Sequence, residues 1–331
     1  MYGELRTELD PRLVQAFNQA HSFKLEHHLI LLARIGSHSH GTYVPPTDPQ
    51  AIDDVDYLGI VIPPANCLLG LQNWEHWVWK FEELDVVLYS LEKAVRLLLK
   101  SNPNIMGLLW LRPEEYCWKT WEGALLLKQR EAFSSLEAYP AFMGYAYDQL
   151  KRMEHFDEAA MARYEELRAT LEGWVNVDAW LSMNGAEFQE KIKSPYAFTV
   201  NRDLAKESLV ELRRLHRKHF SGYLGEKRKR LVRQFGYDTK NAAHLIRLMR
   251  MCVDYLRTGR LEVYRTHDAE ILKAIKQGAW TLKQVKEEAR TLFAAAEQAK
   301  RESPLPAEPD RERAEELLLT LHQAAVSPRA G

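Results

Sequence analysis

The feature that most constrains this chain is one ordered pattern: apolar run, Gly-Ser, long loop, Asp-x-Asp, apolar run, third Asp. LILLARIGS, residues 29–37, is a short apolar run ending in Gly36-Ser37. Asp54-Val55-Asp56 opens a second run, YLGIVIPP, that two prolines stop at residue 64. LDVVLYS, residues 84–90, is a third run with β-branched alternation and Asp85 inside it. Residues i and i+2 of a strand share a face, so Asp54 and Asp56 present two carboxylates side by side while Val55 faces the core. Asp85 is out of place in an apolar run unless it reaches a cation or a partner. Like charges crowded on a half-buried sheet destabilise it. Something must neutralise them, and hard oxygen donors of this kind suit Mg²⁺, with Mn²⁺ as an alternative. Two such ions about 4 Å apart serve in-line phosphoryl or nucleotidyl transfer. Gly36 permits close backbone approach, and the N–H groups that follow it, with the Ser37 hydroxyl, make a candidate anion-binding nest.

Along the chain three regimes follow one another. Residues 1–130 hold the strand-like sequence and turn signals. Residues 131–302 are rich in Ala, Leu, Glu, Lys and Arg with i, i+3, i+4 apolar spacing, which predicts helices. Residues 303–331 open with prolines and predict a linker, one amphipathic helix and a frayed end. The expected fold class is therefore α+β: a small mixed β-sheet domain with helices, then a mostly α-helical domain. Between Leu212 and Arg250 twelve Lys or Arg face two acids, an excess of ten positive charges in a chain whose net charge is −1. Such a patch is the electrostatic footprint of polyphosphate or nucleic acid. Within it Lys240, His244 and Arg247 fall at i, i+4 and i+7, one face of one helix, suited to clamping phosphates that metals hold from the other side. Gly236–Thr239 supplies capping residues for that helix. Trp74, Trp77, Trp79 and Trp110 read as core, and His27-His28 as a solvated pair.

These residues resemble the DNA polymerase beta nucleotidyltransferase superfamily. The flanks GSHSHGT, DYLGIVIPP and DVVLYSLEKAVRLLLKSNPNIMGLLW, with GYLGEKRKRLVRQFGYDTKNAAHLIRLMR in the second half, are similar to the RNA repair pathway polymerase-beta family of bacterial and phage nucleotidyltransferases. The resemblance implies that Asp54 and Asp56 bind both metals, and that Asp85 is a metal ligand or the base for the attacking hydroxyl. It implies an NTP substrate held by Gly36, Ser37, Lys240, His244 and Arg247, and an RNA end as acceptor. It also makes Lys93 and Asn102 candidate site residues. One departure is the loop from Ser37 to Asp54, longer than the usual spacing; its extra residues, Tyr43 to Gln50, are expected to shape the entrance or to contact an acceptor.

Composition narrows the alternatives. With 45 Lys+Arg against 46 Asp+Glu and 46% hydrophobic residues, the 331-residue chain is neither a uniformly basic polymer binder nor a disordered acidic one. No run approaches 18 continuous apolar residues, and MYGELRTELDPRL does not read as a secretory signal, so a cytoplasmic protein is expected. Cys67, Cys117 and Cys252 form no CxxC pair, which excludes a thiolate zinc site. Ser37-His38-Asp54 lacks a nucleophile elbow and is not a hydrolase triad. Two further functions stay open beside transfer to RNA. One is nucleotidylation of a protein or small molecule; the other is a non-catalytic nucleotide- or RNA-binding module, against which the retention of all three aspartates argues.

Overall fold

Six strands form one mixed sheet in the order β1-β6-β2-β3-β5-β4. They are β1 (Leu5–Arg6), β2 (Leu29–Ile35), β3 (Val55–Val61), β4 (His76–Phe81), β5 (Leu84–Ser90) and β6 (Tyr116–Lys119). β3 and β5 run parallel; every other pairing is antiparallel. The structure is a computed structural model and describes residues 5–6, 9–45, 47, 54–82, 84–154, 158–194, 202–217, 231–232 and 234–326. The Lys227–Arg230 run, Lys218, Arg233 and loop residues 46 and 48–53 lie outside the described residues.

Alternation assigns the two faces of the sheet. Leu32, Val86, Leu88, Trp77 and Trp79 point to one face, where they pack with Leu13 and Phe17 of the helix Pro11–Ala20. The Phe17 and Trp77 rings meet edge to face at 5.2 Å. Trp74, Trp77 and Trp79 pack half-buried against this cluster, while Trp110, also expected in the core, is half-buried elsewhere, against Tyr255. The opposite face takes Ile35, Asp56 and Asp85, which the pairings Ile35↔Asp56 and Asp56↔Asp85 put side by side. Burial is graded along these strands. β2 is buried until its last two residues, and β3 is half-buried over its first three before it becomes fully buried. Because β2 runs against β3, both half-buried ends coincide, and the sheet opens where the acids sit. β4 and β5 form a hairpin whose connection places Glu82 at φ +52°.

The chain is α+β, and its helices divide into two units. One holds Met1–Gln149 together with Ala242–Gly331; the other is Leu150–Asn241. The division differs from the expected single boundary near 130 and from a helical domain running to 302. The segment from 242 onward belongs with the sheet, because the helix Thr239–Thr258 buries a broad apolar face opposite its stripe of Lys240, His244, Arg247, Arg250 and Asp254. Leu245, Ile246, Leu248, Met249, Cys252, Val253, Tyr255 and Leu256 are all buried, and an apolar face this wide must pack into a core. The stretch from 303 likewise joins this unit and holds the expected helix; the end expected to fray, residues 327–331, lies outside the described residues. Leu136 donates its N–H to the carbonyl of Pro306 and Asp310 donates to that of Ala132. The helix Arg311–Val326 then buries Ala314, Leu317 and Leu321. The smaller unit has its own core of Tyr164, Leu167, Leu171, Trp180, Phe188, Leu209 and Leu212. No described helix is long and apolar enough to cross a membrane.

Leu321 is fully buried, so Leu321→Ala should lower the unfolding free energy in urea by about 2–5 kcal/mol. An effect of a few tenths would mean that the final helix is not part of the core.

Candidate active site

The geometry begins with a glycine. Gly36 follows β2 directly and has φ +70°, and a β-carbon there would lie 2.2 Å from Asp56 Oδ2. Only glycine combines that backbone conformation with that contact. The turn that begins there closes on itself: His40 N–H donates to Gly36 O (3.2 Å), Gly41 N–H to His38 O (3.0 Å) and Thr42 N–H to Ser37 O (2.9 Å), while Ser39 Oγ also donates to Gly36 O (3.0 Å). Ser37 Oγ is buried with no hydrogen-bond partner among the described residues. A buried hydroxyl left this way carries a desolvation cost that a ligand oxygen would relieve.

The three aspartates stand on adjoining positions. Asp54 immediately precedes β3, Asp56 lies within it, and Asp85 is the parallel partner of Asp56 on β5. The sequence had left open which cation Asp85 reaches; it is Lys80, its cross-strand neighbour on β4, with which it forms an ion pair. Among the described residues no three His, Cys, Asp or Glu side chains converge as a metal site. Still, the donors suit a hard divalent ion: carboxylate oxygens on adjacent strands, one resting in a cradle that a β-carbon would fill.

The cations come from far along the chain. His40 is half-buried, its Nδ1–H donating to Val263 O (3.1 Å), since a carbonyl only accepts. Arg265 N–H donates to His40 O (3.2 Å), and the buried Lys276 donates from Nζ to Thr42 O (2.7 Å). Gly41 (φ +71°) packs on the Tyr264 ring, where a β-carbon would come within 2.9 Å. Arg112 stacks on that ring at 3.6 Å, and the buried Glu115 pairs with both Arg112 and Arg34. Burial holds the His40 imidazole well below its usual pKa, and the positive charges of Arg247, His244 and Lys276 press the same way. Thus His244 and Arg247, expected in the site, do come within electrostatic reach of the Gly-Ser loop. Burial followed by repulsion from Arg265 pushes against the charge of Arg247, partly offset by Asp268. Its Nη1 donates to Met251 Sδ (3.0 Å), and it has no ion-pair partner among the described residues. An arginine keeps its proton, so this half-buried guanidinium is a cation without an ion-pair partner among the described residues.

Other expected residues are placed differently. Lys240 sits in the first turn of the same helix but in the smaller unit; the N-cap expected there is Asp238, which accepts from Asn241 N–H (3.0 Å). Two members of the basic cluster are spent internally. Arg213 is buried, donating to the carbonyls of Trp180 (3.0 Å) and Asn184 (3.1 Å), and Arg250 pairs with Asp268 and Glu288. His38 stacks on Tyr43 at 3.8 Å within the long loop. Lys93 pairs with Glu75, and Asn102 caps the helix Pro103–Leu108 while donating to Tyr145 Oη. Residues missed by the sequence reading are Lys80, Lys276, Arg265 and Tyr264. The pairing of Lys80 with Asp85 follows from a two-residue hairpin at 82–83; the others carry no local signal.

Gly36→Ala should displace the Asp56 carboxylate, costing about 1–3 kcal/mol of stability from strain alone. Equilibrium unfolding in denaturant measures this, and a neutral substitution would refute the contact. His40 is neutral when folded, whereas the unfolded chain takes up its proton near the ordinary value of 6.5. The unfolded state therefore binds more protons in acid, and stability falls as pH drops below about 6.5, by at most about 1.4 kcal/mol per pH unit for this group. His21 and His322, also lowered by burial, add to the same slope. His40→Asn, which keeps a donor near Nδ1, should flatten the thermal-stability profile between pH 7 and 5.5 by the His40 share. An unchanged profile would place His40 in solvent.

Comparison with known proteins agrees with this arrangement. The model of the RNA repair pathway DNA polymerase beta family matches residues 9–181, which include the Gly-Ser turn and all three aspartates. No curated protein and no solved structure matches the chain. A match over more than half of the 331 residues, carrying the glycine cradle and the paired acids with it, means that the chain belongs to this family of polymerase-beta-like nucleotidyltransferases.

Proposed function

We propose that the protein moves a nucleoside monophosphate from an NTP to a hydroxyl at an RNA end and releases pyrophosphate, with Mg²⁺ held by Asp54, Asp56 and Asp85. The observation that carries this reading is the parallel pairing of Asp56 with Asp85 at the open end of the sheet, beside the glycine that Asp56 touches. When bound, the metal supplies charge neutralisation and orientation of the reacting oxygens.

The chain's own groups do the rest. The acceptor oxygen attacks the α-phosphorus, the bond from that phosphorus to the bridging oxygen breaks, and pyrophosphate leaves. Asp85, released from Lys80, takes the acceptor's proton. Ser37 Oγ and the turn that begins at Gly36 hold phosphate oxygens. Arg247 and His244 supply positive charge where the triphosphate gathers negative charge, an effect that is strongest in a water-poor setting. A half-buried guanidinium without an ion-pair partner among the described residues supports that role, because a bound anion would pair a charge that burial disfavours.

Incubation with α-labelled NTPs and Mg²⁺, with and without RNA, tests the proposal. Label on RNA is expected. Label on protein alone would favour nucleotidylation of a protein, and bound NTP without transfer a non-catalytic module. Asp54→Ala and Asp56→Ala should each lower transfer by about 10³-fold or more while leaving the fold as stable or stabler, since they relieve like-charge repulsion. Persistent transfer would remove the metal assignment. Arg247→Met should weaken NTP binding by about 30-fold or more and raise the melting temperature of the free protein. An unchanged affinity would take Arg247 out of the site.

A further inference from the structure

Lys80 is the residue of this region that the proposed reaction leaves unused. It projects from the edge strand β4 onto the face that carries the acids and pairs with Asp85. The side chain of Lys80 is 68% exposed and that of Asp85 only 29%. The lysine therefore comes in from solvent, and the aspartate is fixed in the sheet. Parallel pairing forces Asp85 beside Asp56, and two adjacent carboxylates with no counter-charge would oppose the strand pairing itself.

We propose that Lys80 is a resident counter-cation: in the empty site its ammonium neutralises Asp85 and competes with the divalent ion for that carboxylate. This rests on the metal reading of the proposed function. An exposed ion pair is weak and its lysine stem flexible, so displacement is easy once something rewards it. The triphosphate of an incoming NTP does so, offering the ammonium new oxygens at the moment the metal needs Asp85. Metal and nucleotide then bind with mutual reinforcement, and free metal binds poorly. Lys80 acts through Asp85 and is a positioning residue.

Mn²⁺ binding to the full-length protein without nucleotide, read by electron paramagnetic resonance or titration calorimetry, tests this. Lys80→Met keeps the length of the stem and removes the charge; it should bind Mn²⁺ about fivefold more tightly than wild type, as loss of a competing exposed pair allows. Lys80→Arg should restore wild-type affinity. Asp56→Asn should abolish binding in either background. If Asp56→Asn abolishes binding but Lys80→Met matches wild type or binds more weakly, the counter-cation is refuted and the metal site stands. If Mn²⁺ binding is undetectable or indifferent to Asp56→Asn, the metal reading fails and the proposal falls with it. Equal melting cooperativity of the variants verifies that each is folded.

Discussion

Parallel pairing of β3 with β5 is the constraint from which the site follows. It holds Asp56 against Asp85 across one strand spacing, a position that two carboxylates would avoid if backbone hydrogen bonds did not impose it. The sheet accommodates the conflict by location and by company. The acids lie at the half-buried end of the strands, where water still reaches them, and Lys80 leans in from the neighbouring strand. Gly36 then lets the end of β2 come against Asp56 without a side chain between them. That electrostatic tension is what the proposed divalent cation would relieve.

The parts of this arrangement governed by short-range rules were legible. Asp54 and Asp56 were readable because strand alternation is a two-residue rule, and Gly36 because a tight turn beside an acid asks for a residue without a β-carbon. Lys80 could have been read from the hairpin, but the connection uses glutamates, of which Glu82 adopts φ +52° without belonging to the usual turn formers. Its pairing was thus hidden. Counting cations misled for a different reason. Arg213 and Arg250 look like surface charge in a list of letters, yet one caps buried carbonyls and the other completes an ion-pair network. The excursion of the chain from Leu150 to Asn241 was invisible because helix-forming composition continues unchanged through both of its borders.

Sheet and cations have separate origins in the chain. The family match ends at residue 181, whereas His244, Val263, Tyr264, Arg265 and Lys276 all lie beyond it. The matched portion supplies the carboxylates, the glycine and Lys80; the remainder supplies further positive charge and the groups that grip the loop. Arg247 illustrates what this costs. Its half-buried guanidinium lies beside sulfur, is repelled by the charge of Arg265, and has no ion-pair partner among the described residues, a cost that a bound anion would offset.

The grip on the Gly-Ser loop also has a temporal meaning. His40 meets Val263 across 223 residues and Thr42 meets Lys276 across 234. On the ribosome the strands bearing the aspartates are made well before the clasp that fixes the loop beside them, more than two hundred residues further along the chain. A polypeptide abandoned before that point carries the acids without the clasp, so an interrupted message yields a fragment whose Gly-Ser loop has never been fixed beside them.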